Sequence, residues 1–208
     1  MIVDKKLSIS IFIVWLFSVS GIIGILIGHN DWFLSLTPLH LSVYFLLIVW
    51  NSVDKRKIIL HLSIAFFTGL LAEFLGVNYG LIFGDYTYGE NLGYKIYGVP
   101  ILIGVNWAIL VYSSAAIAKK VCPGGITCSI FAAILMVFLD LIIEMSAPRF
   151  DFWEFKGGTV PIQNYVGWFV VSLVIQLIFQ KLQKSYNYRL AIHIFLAIAL
   201  FFAVFLFV

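Results

Sequence analysis

The sequence predicts an all-α polytopic membrane helix bundle of about seven transmembrane helices, with the N-terminus inside and the C-terminus outside. Three observations lead there. Apolar residues make up 62% of the 208 and charged residues 11%, with a mean hydropathy of +1.06, so the polar surface that a soluble domain of this size needs is missing. Apolar stretches recur along the chain, each near the roughly 20 helical residues that cross a hydrocarbon core about 30 Å thick. The basic residues gather at alternate ends of those stretches.

The first stretch, 7–27, is longer than the apolar region of a secretory signal and no small-residue cleavage site follows it, so it reads as a span. Further spans are expected at 33–50, 58–77, 99–118, 125–147, 160–180 and 190–208. With the N-terminus inside, the inner segments hold Lys5, Lys6, Lys55, Arg56, Lys57, Lys119, Lys120, Lys181, Lys184 and Arg189, ten of the thirteen basic residues. Only Lys95, Arg149 and Lys156 fall outside. This is the positive-inside pattern, and it makes the net charge of +3 a matter of orientation in a lipid membrane and not of nucleic-acid binding. No low-complexity tract, charge run or repeat divides the chain, so 1–208 reads as a single integral membrane domain.

Several residue types read as structural. Cys122 and Cys128, at the inner end of the fifth span, fit no common metal spacing and are expected to pack as reduced thiols. The histidines at 29, 40, 61 and 193 lie at different depths, so no metal is expected, and His40 alone is level with the acids described below. The Gly24/Gly28 and Gly76/Gly80 pairs read as close helix packing. The two longest connections, 78–98 and 148–159, are both external, and loops of that length in a compact bundle are usually functional. The first carries Tyr79, Tyr86, Tyr88, Tyr94 and Tyr97, which an interfacial belt would explain. A belt does not explain the interleaved Asn78 and Asp85.

Three carboxylates lie inside the apolar spans: Glu73, Asp140 and Glu144. Each costs about 2.5–3.5 kcal/mol at a bilayer centre on insertion scales, so such residues mark a site. Glu73 is 15 residues from the inner start of its span and Asp140 is 15 from the start of its own, which puts both about 22 Å from the inner side. Asn78 and Glu144 count out near the outer boundary. Asn106 and Trp107 enter the same layer from the other direction, as do Asn164 and Trp168. Asp140 and Glu144 are four apart on one helix face, where two carboxylates in low dielectric cannot both ionise easily, so one is expected to hold a proton. The alternative is that the pair bonds to Arg149 or caps polar neighbours.

The segments EFLGVN (73–78), FGDYTYG (83–89), GVPILIGVNW (98–107), DLIIE (140–144) and VPIQNYVGW (160–168) resemble the membrane-embedded carotenoid 1,2-hydratase family of the CruF type. The resemblance covers roughly residues 70–172, with every block in order. Where the family has two aspartates followed by proline, this chain has Glu144–Met145, which keeps the carboxylate and leaves the helix end open. The resemblance implies water addition across the terminal 1,2 double bond of an acyclic carotenoid end group, such as that of lycopene, γ-carotene or bisanhydrobacterioruberin, giving a tertiary alcohol without a cofactor.

The chemistry agrees. Hydrating a trisubstituted alkene requires a desolvated acid, aromatic faces for a tertiary cation, and a positioned water. Asp140 or Glu73 is expected to donate the proton and Glu144 to tune it or orient the water. Asn78, Asn106 and Asn164 serve as hydrogen-bonding partners, and Asp85, Tyr86, Tyr88, Trp107 and Trp168 line the substrate. The expected location is a bacterial cytoplasmic membrane with the site towards the outer side; oligomeric state is left open. A lycopene cyclase would begin with the same protonation and let an internal alkene capture the cation. A prenyltransferase would use Asp140, Glu144 and Arg149 around Mg²⁺-diphosphate. A retinal photoreceptor would need a lysine in the last span, which has none. A seven-span transporter or sensor built on the same acids is the non-enzymatic reading.

Overall fold

The computed structural model describes residues 5–207; residue 208, the end of the seventh expected span, lies outside them. Eight helices form among the described residues: α1 Lys5–Leu26, α2 Asn30–Ser35, α3 Thr37–Asn51, α4 Lys55–Tyr79, α5 Ile101–Val121, α6 Ile126–Glu144, α7 Ile162–Leu182 and α8 Tyr188–Val204. Five of them, α1, α4, α5, α6 and α7, are long and apolar enough to cross a membrane. The other two apolar helices are shorter: 15 residues in α3 and 17 in α8 reach about 22 and 26 Å at 1.5 Å per residue. All seven expected stretches are helical, but the second is not continuous. Pro38 has no N–H to offer the carbonyl of Leu34, the chain turns at Leu36, and the hydroxyl of Thr37 donates to that carbonyl instead at 2.7 Å.

The helix ends follow from local chemistry. Asp54 caps α4, its side chain accepting from the Lys57 N–H at 3.1 Å and satisfying one of the free donors of the first turn. Gly80 ends α4 in the left-handed region at φ 64°, with Gly80 N–H donating to Gly76 O and Leu81 N–H to Leu75 O. Asn187 caps α8 in the manner of Asp54. Of the glycine pairs expected at helix contacts, Gly24 does receive Phe33, whereas Gly28 has open space around it and Gly80 serves as this cap.

Helix α5 is central and packs against α3, α4, α6, α7 and α8. Its Trp107, Ile109, Leu110 and Tyr112 are fully buried, and buried residues from all eight helices join one apolar cluster. The outward faces are apolar as well, with Phe12, Leu60, Phe67, Ile134 and Phe138 exposed, as lipid-facing surfaces are. In the half of the bundle away from the carboxylates, the amide of Gln176 donates to Val111 O at 3.1 Å and Ser114 Oγ at 2.9 Å, tying α7 to α5.

The long connections are not plain loops. Strand β1, Tyr86–Tyr88, pairs antiparallel with β4, Trp153–Phe155, in the register Tyr86↔Phe155, Thr87↔Glu154 and Tyr88↔Trp153. A smaller ribbon joins β2, Lys95–Ile96, to β3, Val99–Pro100. Side chains alternate across a strand, so Tyr86, Trp153 and Phe155 are buried beneath the β1–β4 ribbon while Thr87 and Glu154 are exposed above it. This ribbon closes one end of the bundle over α4, α6 and α7.

Candidate active site

Helix α4 prepares the first half of the site. Gly69, Glu73 and Gly76 are spaced by four and three and share one face. A Cβ at Gly69 would lie 2.3 Å from Cγ of Trp107, and one at Gly76 would lie 2.6 Å from the Tyr86 hydroxyl, so each missing side chain admits a ring. Those rings reach Glu73 between them. The Trp107 indole N–H donates to Oε1 at 2.8 Å, and the hydroxyls of Tyr86 and Tyr88 donate to Oε2 at 2.5 and 2.7 Å. Burial, reinforced by the charge of Glu73, pushes both phenols far above their ordinary range, so they stay protonated and remain donors. Glu73 is therefore fixed by three partners while 3% exposed.

The second half comes from α6, α7 and β4. Asp140 and Glu144 lie on one face of α6, and both are bridged by the Asn164 amide of α7, which donates to Asp140 Oδ2 at 2.9 Å and to Glu144 Oε1 at 3.1 Å. Trp153 of β4 adds an indole donor to Glu144 Oε2 at 3.0 Å. Asp140 Oδ1 is buried with no protein partner. Among the described residues neither acid forms a salt bridge; Arg149 directs its guanidinium to Phe205 O at 3.0 Å.

The two halves meet at a cavity of about 10 Å³ whose polar wall is Glu73, Glu144, Asn164, Tyr86, Tyr88 and Trp153. That volume and that wall suit one water molecule. Aromatic faces enclose the rest. Trp107 and Trp168 stack with centroids 4.3 Å apart and planes 11° apart, and Phe83 leans on both at 6.4 and 6.2 Å. Phe83 gets there because Gly167 lets the connection after α4 rest on α7: a Cβ at Gly167 would lie 2.4 Å from Ile82 O.

Glu73, Tyr86, Tyr88, Trp107, Asp140, Glu144, Asn164 and Trp168 thus converge on one centre. Three expected members stand apart. Asn78, exposed at the end of α4, donates to Phe74 O and Tyr97 O and so fastens the 78–98 connection. Asp85 is exposed, its carbonyl accepting from Lys156 N–H at 2.9 Å. Asn106 faces a neighbouring cavity. Glu144, which depth counting puts at the outer boundary, is only 5% exposed, because the ribbon and Trp153 close over it. Trp153, Phe83 and Phe155 are members that spacing did not reveal, since a loop residue has no helical register from which to count.

The histidines are scattered: His61 bonds Gln183 and His193 accepts from Trp15. Among the described residues, no three or more His, Cys, Asp or Glu side chains are grouped to hold a metal ion.

No solved structure matches the chain. The bisanhydrobacterioruberin hydratase of Haloarcula japonica is 31% identical over 117 residues, which take in 51% of this chain and 39% of that protein; the match spans well under two thirds of the relative. The model of the family described as carotenoid biosynthesis protein matches residues 32–208. Because that match takes in most of the chain, including every carboxylate of the site, the chain belongs to the carotenoid biosynthesis protein family.

Proposed function

We propose that the chain is a carotenoid hydratase, a hydro-lyase that adds water across the terminal 1,2 double bond of an acyclic carotenoid end group in a bacterial cytoplasmic membrane. One observation carries this reading: a cavity with room for one water lies between two separately anchored carboxylate groups and is walled by aromatic rings. The Asp140–Glu144 pair holds the proton, and Glu144, its member at the cavity, delivers it to the less substituted alkene carbon. The resulting tertiary cation faces the Trp107–Trp168 stack and the anion of Glu73, both of which favour positive charge. Water held by Glu73 and Asn164 adds to the cation, and its surplus proton returns to the pair. One C=C π bond is lost, one C–H and one C–O bond form, and a single water is consumed with no change in redox state.

The test is a pigment extract from a lycopene- or γ-carotene-producing host with and without this chain, run in normal and deuterated water. A product heavier by one water, with one non-exchangeable deuterium at C2, is the expected result. An isomeric product would make the chain a cyclase, and unchanged pigments would support a carrier. With Glu144→Gln or Asp140→Asn, conversion should fall by about 10² to 10⁴, the usual contribution of general acid catalysis. Near-normal product from both variants would remove the pair from the mechanism.

A further inference from the structure

The β1–β4 ribbon closes the bundle over the carboxylates, and at the opposite end an open cavity of about 370 Å³ is lined by Lys119, Ser129, Gln180, Lys181 and Lys184. Between the two ends runs a ridge of α7 with a residue every four positions, Asn164, Trp168, Ser172, Gln176 and Gln180, every one of them buried. Residues so spaced stack one above the other along a helix. Their partners fix the register against α6, which runs the other way: Asn164 bonds Asp140 and Glu144, Gln176 reaches Met136 Sδ at 3.6 Å, and Gln180 donates to Cys128 O at 3.3 Å. In that register Ser172 is level with Met136, one turn or about 6 Å along the axis from Asp140. Part of this polarity ties helices together, as polar residues in membrane bundles do: the Gln180 amide also donates to Gln176 Oε1 at 3.1 Å, and Gln176 to Ser114 Oγ at 2.9 Å. The ties leave Gln180 Oε1, Ser172 Oγ and Asp140 Oδ1 buried without a protein partner, and these atoms follow one another in that order from the open cavity to the carboxylates. Buried polar atoms left unpaired are costly and uncommon, and buried water is what ordinarily satisfies them.

We propose that this ridge, with the facing side of α6, is a water path that supplies the carboxylate centre from the end of the bundle opposite the ribbon. Water enters at Gln180 among the lysines, passes Gln176 and Ser172, and arrives at Asp140 Oδ1. Asn164, which bonds Asp140 and also lines the small cavity, passes it on to the space between Glu73 and Glu144. The steps suit water: about 6 Å along the axis separates each polar level from the next, and one or two molecules at about 2.8 Å per hydrogen bond bridge that gap. The hydrocarbon substrate then comes from the lipid and the water from the aqueous end, so the ribbon can stay closed. The wet path stands without the hydration reading; that its water is the one added to the alkene rests on the proposed function.

Met136 is the built-in probe, because it is fully buried beside the ridge and its thioether oxidises readily to the sulfoxide. A short X-ray pulse applied to the full chain in lipid nanodiscs turns bound water into hydroxyl radicals where it sits, and peptide mass then reads sulfoxide at each methionine. Met136 should oxidise in the unaltered chain despite its burial, alongside the exposed Met145. Gln180→Leu at the mouth and Ser172→Val beside Met136 should each cut that oxidation about tenfold and leave Met145 unchanged, whereas Gln180→Asn, which keeps the mouth polar, should retain most of it. A variant that fails to fold oxidises along its whole length, and the other then decides. A Met136 that stays unoxidised in the unaltered chain, or one that oxidises as before in the folded plugging variants, would overturn the path. Turnover on the same samples separates the two ideas. It should fall in step with Met136 oxidation, and normal turnover in a variant that protects Met136 would overturn the supply role. A wet ridge without hydrated product sinks the hydratase reading alone, and hydrated product with a dry ridge sinks the path alone.

Discussion

Glu73 accepts three hydrogen bonds from Trp107, Tyr86 and Tyr88, and its isosteric amide cannot do the same. In Glu73→Gln the –NH₂ group must face at least one of those donors, which leaves a buried donor unpaired at a cost of about 1–3 kcal/mol. Unfolding in mixed detergent micelles should register that loss along with reduced turnover, and an unchanged unfolding midpoint would mean the three bonds are not made. Trp153→Phe is the complementary case, keeping a ring while deleting the donor to Glu144. Its expected effect is about a tenfold loss of turnover, the equivalent of one modest hydrogen bond, with a shifted pH–rate profile and a stability loss of about 1–3 kcal/mol from the buried Glu144 oxygen left without its donor. Residue-level legibility divides along the same line. Glu73, Trp107, Asp140 and Asn164 lie on regular helices, where a fixed rise turns sequence distance into depth. Trp153 lies on a strand where its partner is 65 positions away, Tyr88↔Trp153, and no local period announces that pairing.

Within the elements, the small-residue face of α4 is as necessary as the acid it carries. Gly69→Ala would drive a methyl group into the Trp107 ring, so the indole must move off Glu73; turnover should fall while helicity by circular dichroism stays the same. The β1–β4 ribbon predicts an asymmetry between its faces. Thr87→Val, on the exposed face, should change stability by no more than about 0.5 kcal/mol, as surface changes usually do, whereas Tyr86→Phe removes a donor from Glu73. At the start of α4, the backbone N–H of Lys57 holds the Asp54 carboxyl below its ordinary range. A depressed folded pKa means that the cap's contribution is present above the unfolded value, about 3.9, and is lost as pH falls through the lower folded value. Asp54→Asn keeps a capping side chain and loses the titration, so the acid-side slope of stability against pH should flatten; an identical slope in both proteins would show that the cap does not form.

For the whole molecule, the distribution of basic residues proposes an orientation that labelling can check. In a Cys122→Ser background, an impermeant thiol reagent applied to intact cells should label Lys156→Cys, beside the β1–β4 ribbon, and should reach Lys184→Cys only after lysis; the reverse pattern would invert the topology. The sequence by itself determined that this is an apolar helical bundle, where its helices lie to within a few residues, and that Glu73, Asp140 and Glu144 are anomalies needing a function. These properties depend on local composition and on helical rise, both of which can be read along one chain. Tertiary structure alone decided which anomalies meet. It separated Asn78, Asp85 and Asn106 from the centre, brought in Trp153 and Phe83, and buried Glu144 beneath two paired loops. The reason is physical: a depth count fixes position along the bundle axis, whereas rotation about each helix and pairing between distant loops are set by packing, here by glycines whose missing side chains let rings approach.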